Sequence, residues 1–141
     1  MRLLALIFLF LLAAAPAEAG WRIDRSLAIA QEVWKPTCGA LSLAYGDPVS
    51  AGASAEADAW AWPGNCRIGI NASQHYEFEE LCTIVLHEAG HVAGMGHTDR
   101  GIMRATRVFV EAHETSHGRT VTRWSGVDSR CLSSRRLTRR S

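Results

Sequence analysis

The sequence predicts a small α+β domain, a short twisted sheet packed on an N-terminal helix and a central helix. Three observations carry that expectation. Residues 23–35 and 78–94 repeat apolar side chains at helical spacing. Between them, two strand-like runs flank the turn signal Pro63-Gly64-Asn65. The chain has 141 residues, 48% of them hydrophobic, which is one domain's worth of packable sequence.

Residues 1–19 are set apart from that domain. Arg2 provides a positive start, Leu3–Ala15 is an uninterrupted apolar run of 13 residues, and Ala17-Glu18-Ala19 has the small-x-small form of a cleavage site. A spanning helix needs ~20 apolar residues, so the expected feature is a signal peptide rather than an uncleaved anchor. The mature domain is then 20–141, 122 residues, secreted to the extracellular space or periplasm. No later segment is apolar enough to span a bilayer, and no stable membrane insertion is expected.

Within the domain, Ile23, Leu27, Ala30 and Trp34 form one helical stripe, stopped by Pro36. Residues 39–45 alternate as a strand, and 46–55 read as a Gly/Pro-containing loop. Residues 57–62 and 66–71 form the strand pair around Pro63-Gly64-Asn65. It places Trp60 and Trp62 on one face, as core or sheet surface rather than a binding platform. Asn71-Ala72-Ser73 is a glycosylation sequon, relevant only in a glycosylating source.

The clearest helix is 78–94, with Leu81, Ile84, Val85, Leu86, Ala89 and Val92 as its apolar surface. Glu77, Glu79 and Glu80 sit at its start, where the macrodipole favours them. Beyond Met103, residues 107–112 suggest a strand and 127–137 a closing helix capped by Ser125 or Asp128. Residues 129–141 are expected to fray in part, most of all the arginine-rich end.

A net charge of +1 offers no clustered basic surface, so no nucleic-acid partner is expected. In an oxidising compartment the even set Cys38, Cys66, Cys82 and Cys131 reads as two disulfides. Three pairings are possible, and the sequence leaves all of them open.

The chemistry concentrates in His87-Glu88-Ala89-Gly90-His91-Val92-Ala93-Gly94-Met95-Gly96-His97. On a helix, His87 and His91 project about 40° apart and can converge on one ion. Glu88 lies on the adjacent edge, near the ion but not bound to it. Gly94 lets the chain leave the helix and turn back, bringing in His97 as a third ligand. Three nitrogens leave the fourth position of a zinc ion open for water, the arrangement of a catalytic site. Cys82, on roughly the opposite side of the helix, reads as structural.

These residues resemble the signature of the metzincin zinc endopeptidases, H-E-x-x-H-x-x-G-x-x-H followed by a methionine turn. His87, Glu88, His91, Gly94 and His97 fill every fixed position, and Met103 is the Met-turn candidate. Upstream, residues 57–64 resemble the edge strand of a matrixin and 67–71 the strand after it, so the likeness covers about residues 56–103. It implies a metzincin-like fold in which 78–94 is the active-site helix, followed by a Met-turn and a C-terminal helix. It also implies a zinc-dependent endopeptidase with one catalytic Zn2+, held by His87, His91 and His97. Glu88 would be the general base, Met103 an apolar floor, and an extended peptide or protein bound by a monomer the substrate.

The sequence departs from the matrixin pattern in four places. Asp58 stands where a structural-zinc histidine is usual, so neither a structural zinc nor calcium is expected. No proline follows Met103, and no tyrosine stands where some metzincins stabilise the transition state. The fold begins too close to the leader for a prodomain. Two other readings of the motif stay open: a zinc hydrolase of non-peptide amides or esters, and a catalytically inactive, zinc-stabilised binding module. A second H-E-x-x-H at 113–117 follows a strand-like run, holds Thr115 and Ser116, and precedes Gly118. It reads as an exposed loop with no metal.

Overall fold

The computed structural model describes residues 17–105, 110–116, 119–125 and 127–132. Helix α1 (Ala17–Trp34) is followed by β1 (Ser42–Gly46), β2 (Ala59–Trp62), β3 (Arg67–Asn71) and helix α2 (Phe78–Val92). Strands β4 (Val110–Ser116) and β5 (Arg119–Ser125) and a 3-10 turn at Ser129–Cys131 complete the order. The chain is thus a mixed α+β domain. Most of the expected leader lies outside the described residues, and Ala17 to Ala19 form the first turn of α1. Among the described residues, no helix is long and apolar enough to cross a membrane.

The predicted stripe of α1 is the one that packs: Ala30 is fully buried, and Ile23, Leu27 and Trp34 lie against the core. Lys35 adopts a left-handed φ of +45° just before Pro36, and the helix stops there. The following strand starts at Ser42 rather than residue 39, because Gln31 captures the intervening backbone. Its side-chain amide donates to Gly39 O (3.3 Å) and its oxygen accepts from Leu41 N–H (2.9 Å).

The sheet has order β1-β3-β2, with β1 parallel and β2 antiparallel to β3. Alternation then sorts the side chains. Ile68 and Ile70 of β3 are fully buried, and Ala59 and Ala61, which pair with them, also pack on the core. The tryptophans point to the other face, where Trp60 pairs with Gly69 and makes an edge-to-face contact with Trp62 (5.7 Å). A side chain at Gly69 would collide with the Trp60 indole. The pair therefore covers the outer sheet surface, with Arg67 over the Trp62 ring at 5.2 Å.

The asparagine of the sequon is engaged within the fold. Asn71 is 3% exposed. Its amide donates to Ala57 O (3.0 Å), while its oxygen accepts from Ser73 N–H (3.0 Å) and Ser73 Oγ–H (2.7 Å). A glycan on that nitrogen would break the pairing that holds residue 57 beside β3.

Cys38 pairs with Cys66, and Cys82 with Cys131. The first bridge ties the approach to β1 to the start of β3, and the second ties the C-terminal turn to the back of α2. Two disulfides are typical of extracellular proteins.

Two expectations after Met103 are corrected. Residues 113–116 are not a loop but part of β4, which pairs along its length with β5. The β-branched and aromatic run Thr120, Val121, Thr122 and Trp124 was the missed signal. In an extended strand, positions i and i+4 stand about 13 Å apart, so the one-turn spacing of a helix does not apply to residues 113–116. His117 and residues 107–109 lie outside the described residues. Over its described part, 127–132, the expected closing helix is replaced by a single 3-10 turn, Ser129–Cys131, capped by Leu132 with an extended backbone (ψ 124°). Asp128 does cap that turn, accepting from Arg130 N–H at 3.0 Å. Asp128 N–H is bonded to Thr83 Oγ1 (3.0 Å) and Cys131 is bridged to Cys82. Anchors three residues apart fit one tight turn and hold it against α2. The remainder of the predicted helix and tail, 133–141, lies outside the described residues.

Candidate metal centre

The site is built on the C-terminal half of α2. Glu80 starts the helix by reaching back to accept from Glu77 N–H (3.0 Å), satisfying one of its orphan donors. At the other end Gly94 takes a φ of +87°. Gly94 N–H bonds to His91 O (3.0 Å) and Met95 N–H to Gly90 O (2.9 Å). This is the reversal that a left-handed glycine allows, and it folds His97 back toward the helix as the sequence predicted.

His87, His91 and His97 converge. The Nε2 atom of His91 lies 3.1 Å from Nε2 of His87 and 3.1 Å from Nε2 of His97. Around a tetrahedral zinc with bonds of about 2.0–2.1 Å, ligand nitrogens stand about 3.3–3.4 Å apart. The three histidines can thus hold a metal ion.

Protonation supports the same conclusion. His87 Nδ1 is 2.7 Å from Ile102 O, and His91 Nδ1 is 2.8 Å from Met95 O. A carbonyl oxygen only accepts, so each Nδ1 carries a proton and each ring turns its Nε2 inward. Neither Ile102 nor Met95 was legible as part of the site, because each contributes a backbone carbonyl and its side-chain type carries no signal.

Met103 is 2% exposed and packs beneath the helix turn between His87 and His91. Gly90 makes that approach possible. A Cβ there would collide with Met103 Sδ and would stand 3.0 Å from Met103 Cε and 3.1 Å from Trp34 Cζ2. Trp34 is itself fixed, donating its indole N–H to Leu86 O at 2.7 Å. Gly90→Ala should gain about 1 kcal/mol of helix propensity and lose about 1–3 kcal/mol to overpacking. We expect a net loss near 1 kcal/mol in urea unfolding, reversed to neutral or stabilising in a Met103→Ala background. Equal effects in both backgrounds would contradict the packing argument.

Glu88 is 9% exposed and lines the same cleft, of about 400 Å³, as the three histidines. Among the described residues nothing hydrogen-bonds its carboxyl, and burial pushes its pKa from the ordinary 4.5 up to about 7. The neutral acid is the form the metal-free fold prefers. In the metal-free protein the stability contributed by Glu88 is therefore fully present below pH 4.5 and lost as pH rises through about 7. Measured against Glu88→Gln in chelator, that loss should amount to about 3 kcal/mol. A difference between the two proteins that stays flat from pH 4 to pH 8.5 would refute it.

Residues 56–59 form a second wall of the cleft, and Arg104 and Ala105 extend it past Met103. Asp58, at the matrixin histidine position, accepts from Tyr76 Oη–H at 2.8 Å. Burial, then this bond, pushes the Tyr76 phenol above its usual range, so it remains a donor. No family model, curated protein or solved structure matches the chain.

Proposed function

We propose that the protein is a secreted zinc-dependent endopeptidase of metzincin type. The observation that carries this reading is the meeting of three Nε2 atoms beside a buried, unengaged carboxylate in one open cleft. Imidazole donors in a compact, tetrahedral-edge arrangement suit zinc. Bound there, zinc supplies Lewis acidity, polarising a carbonyl and making water acidic near pH 7.

The chain's own residues supply the rest. The carbonyls of Ile102 and Met95 hold His87 and His91 in the tautomer that presents Nε2. Glu88 is placed to take a proton from water in the cleft and return it to the leaving amine. Strand β2 is an edge of its sheet, and its approach, residues 56–59, borders the cleft. An extended peptide can add to that edge by backbone hydrogen bonds, antiparallel to β2, with its carbonyls directed along the cleft. The apolar run at 3–15 and the two disulfides support export.

The test is zinc content and peptide-library cleavage by the purified 20–141 chain, with and without chelator. One zinc per chain with chelator-sensitive cleavage is expected. One zinc with no cleavage of any peptide would overturn the peptidase reading in favour of another hydrolase or a binding module. No zinc would overturn the three-histidine site.

A further inference from the structure

We propose that Arg104 makes this cleft select substrates bearing a carboxylate beside the bond that is cut. The carboxylate would come from an acidic side chain or a free chain end. The inference rests on the peptidase reading and names its substrate class.

Among the described residues lining the cleft, Arg104 is the one with a permanent positive charge. Its backbone is fixed: its N–H bonds to Gly101 O (3.3 Å), it bridges to Thr98, and it follows the buried Met103. Its side chain is exposed, and no carboxylate among the described residues pairs with it. Apart from the histidines and Glu88, the other ionisable side chains of the lining are the carboxylates Glu56 and Asp58, on the approach to β2. Charge in the cleft is therefore divided by segment, negative before β2 and positive after Met103.

A peptide seated over the histidines displaces water from this lining. A neutral or cationic group against Arg104 would leave a guanidinium unpaired as its water is removed, which is costly. A carboxylate there forms the forked, charge-assisted pair that guanidinium suits, while Glu56 and Asp58 repel it from the other segment. The cleft thus both attracts and orients an anionic group.

Two matched peptide pairs test this on the zinc-loaded chain. One pair differs only by Glu or Gln next to the cut; the other carries a free carboxylate or an amide at its end. We expect kcat/KM to favour the carboxylate by about tenfold in one pair, and the responding pair identifies the source. Arg104→Gln should bring that ratio near one, and Arg104→Glu should favour Lys over Gln. The same pairs are also measured for Kd by fluorescence anisotropy on zinc-loaded Glu88→Gln protein, which reads selection without turnover. Chelator-sensitive cleavage with no preference in either pair overturns the proposal and leaves the peptidase reading standing. A preference that survives Arg104→Gln overturns the role of Arg104. If no peptide is cleaved, the peptidase reading fails, and the Kd ratios alone decide whether Arg104 selects carboxylates.

Discussion

Glu88→Gln should lower peptide hydrolysis by about 10²–10⁴-fold while leaving the zinc content unchanged. Glutamine keeps the shape and the burial of the side chain but cannot take a proton, so the variant isolates the chemistry from the fold. The residue is suited to that task because nothing else among the described residues engages it. It is 9% exposed, opens on the cleft, and sits one position after His87 on the helix that carries two of the three converging histidines. Its pKa in the metal-free protein is already raised to about 7 by burial. A dication nearby opposes that shift, so the acid limb of the pH–rate profile should fall below pH 7 and vanish in Glu88→Gln. His91→Ala is the contrasting variant, since it removes the nitrogen shared by both 3.1 Å contacts, and metal should be lost together with activity. Full hydrolysis by Glu88→Gln would mean that another group takes the proton.

Removing the Cys82–Cys131 bridge should cost about 4 kcal/mol. The two cysteines are fully buried and 49 residues apart, and closing a loop of that length restricts the unfolded chain by roughly that amount. For a domain of this size the melting temperature should fall by roughly 15 °C. The local consequence is as specific as the global one. The bridge and the bond from Asp128 N–H to Thr83 Oγ1 (3.0 Å) hold the C-terminal turn on the back of α2, the helix whose front carries His87 and His91. A Cys82→Ala/Cys131→Ala protein should therefore regain stability on adding zinc, since an ion bound only by the folded state opposes unfolding. A loss below 1 kcal/mol, measured by urea unfolding in zinc and in chelator, would show that packing alone holds the turn.

What the sequence determined by itself was local. His87 and His91 share a helix face because four residues make about one turn, and Gly94 reverses the chain because a left-handed φ costs glycine little. Pro63-Gly64-Asn65 joins an antiparallel pair, and the stripe Ile23, Leu27, Ala30, Trp34 finds the core. Each is a property of neighbours along the chain, so each was readable from spacing. The tertiary structure decided what depends on distant segments meeting. The cysteines could pair three ways until α2 packed against the C-terminal turn and β3 drew Cys66 to Cys38. The Asn71 sequon looked available until β3 buried it beside residue 57. The tryptophans could have filled the core, but the buried Ile68 and Ile70 turned the opposite face of the sheet outward, and Trp60 came to lie on Gly69. The tautomers of His87 and His91 were set by Ile102 and Met95 through backbone carbonyls, which every residue possesses and no motif can mark. Local periodicity encodes which face a residue takes, whereas its partner is selected only when burial removes water from the whole core at once.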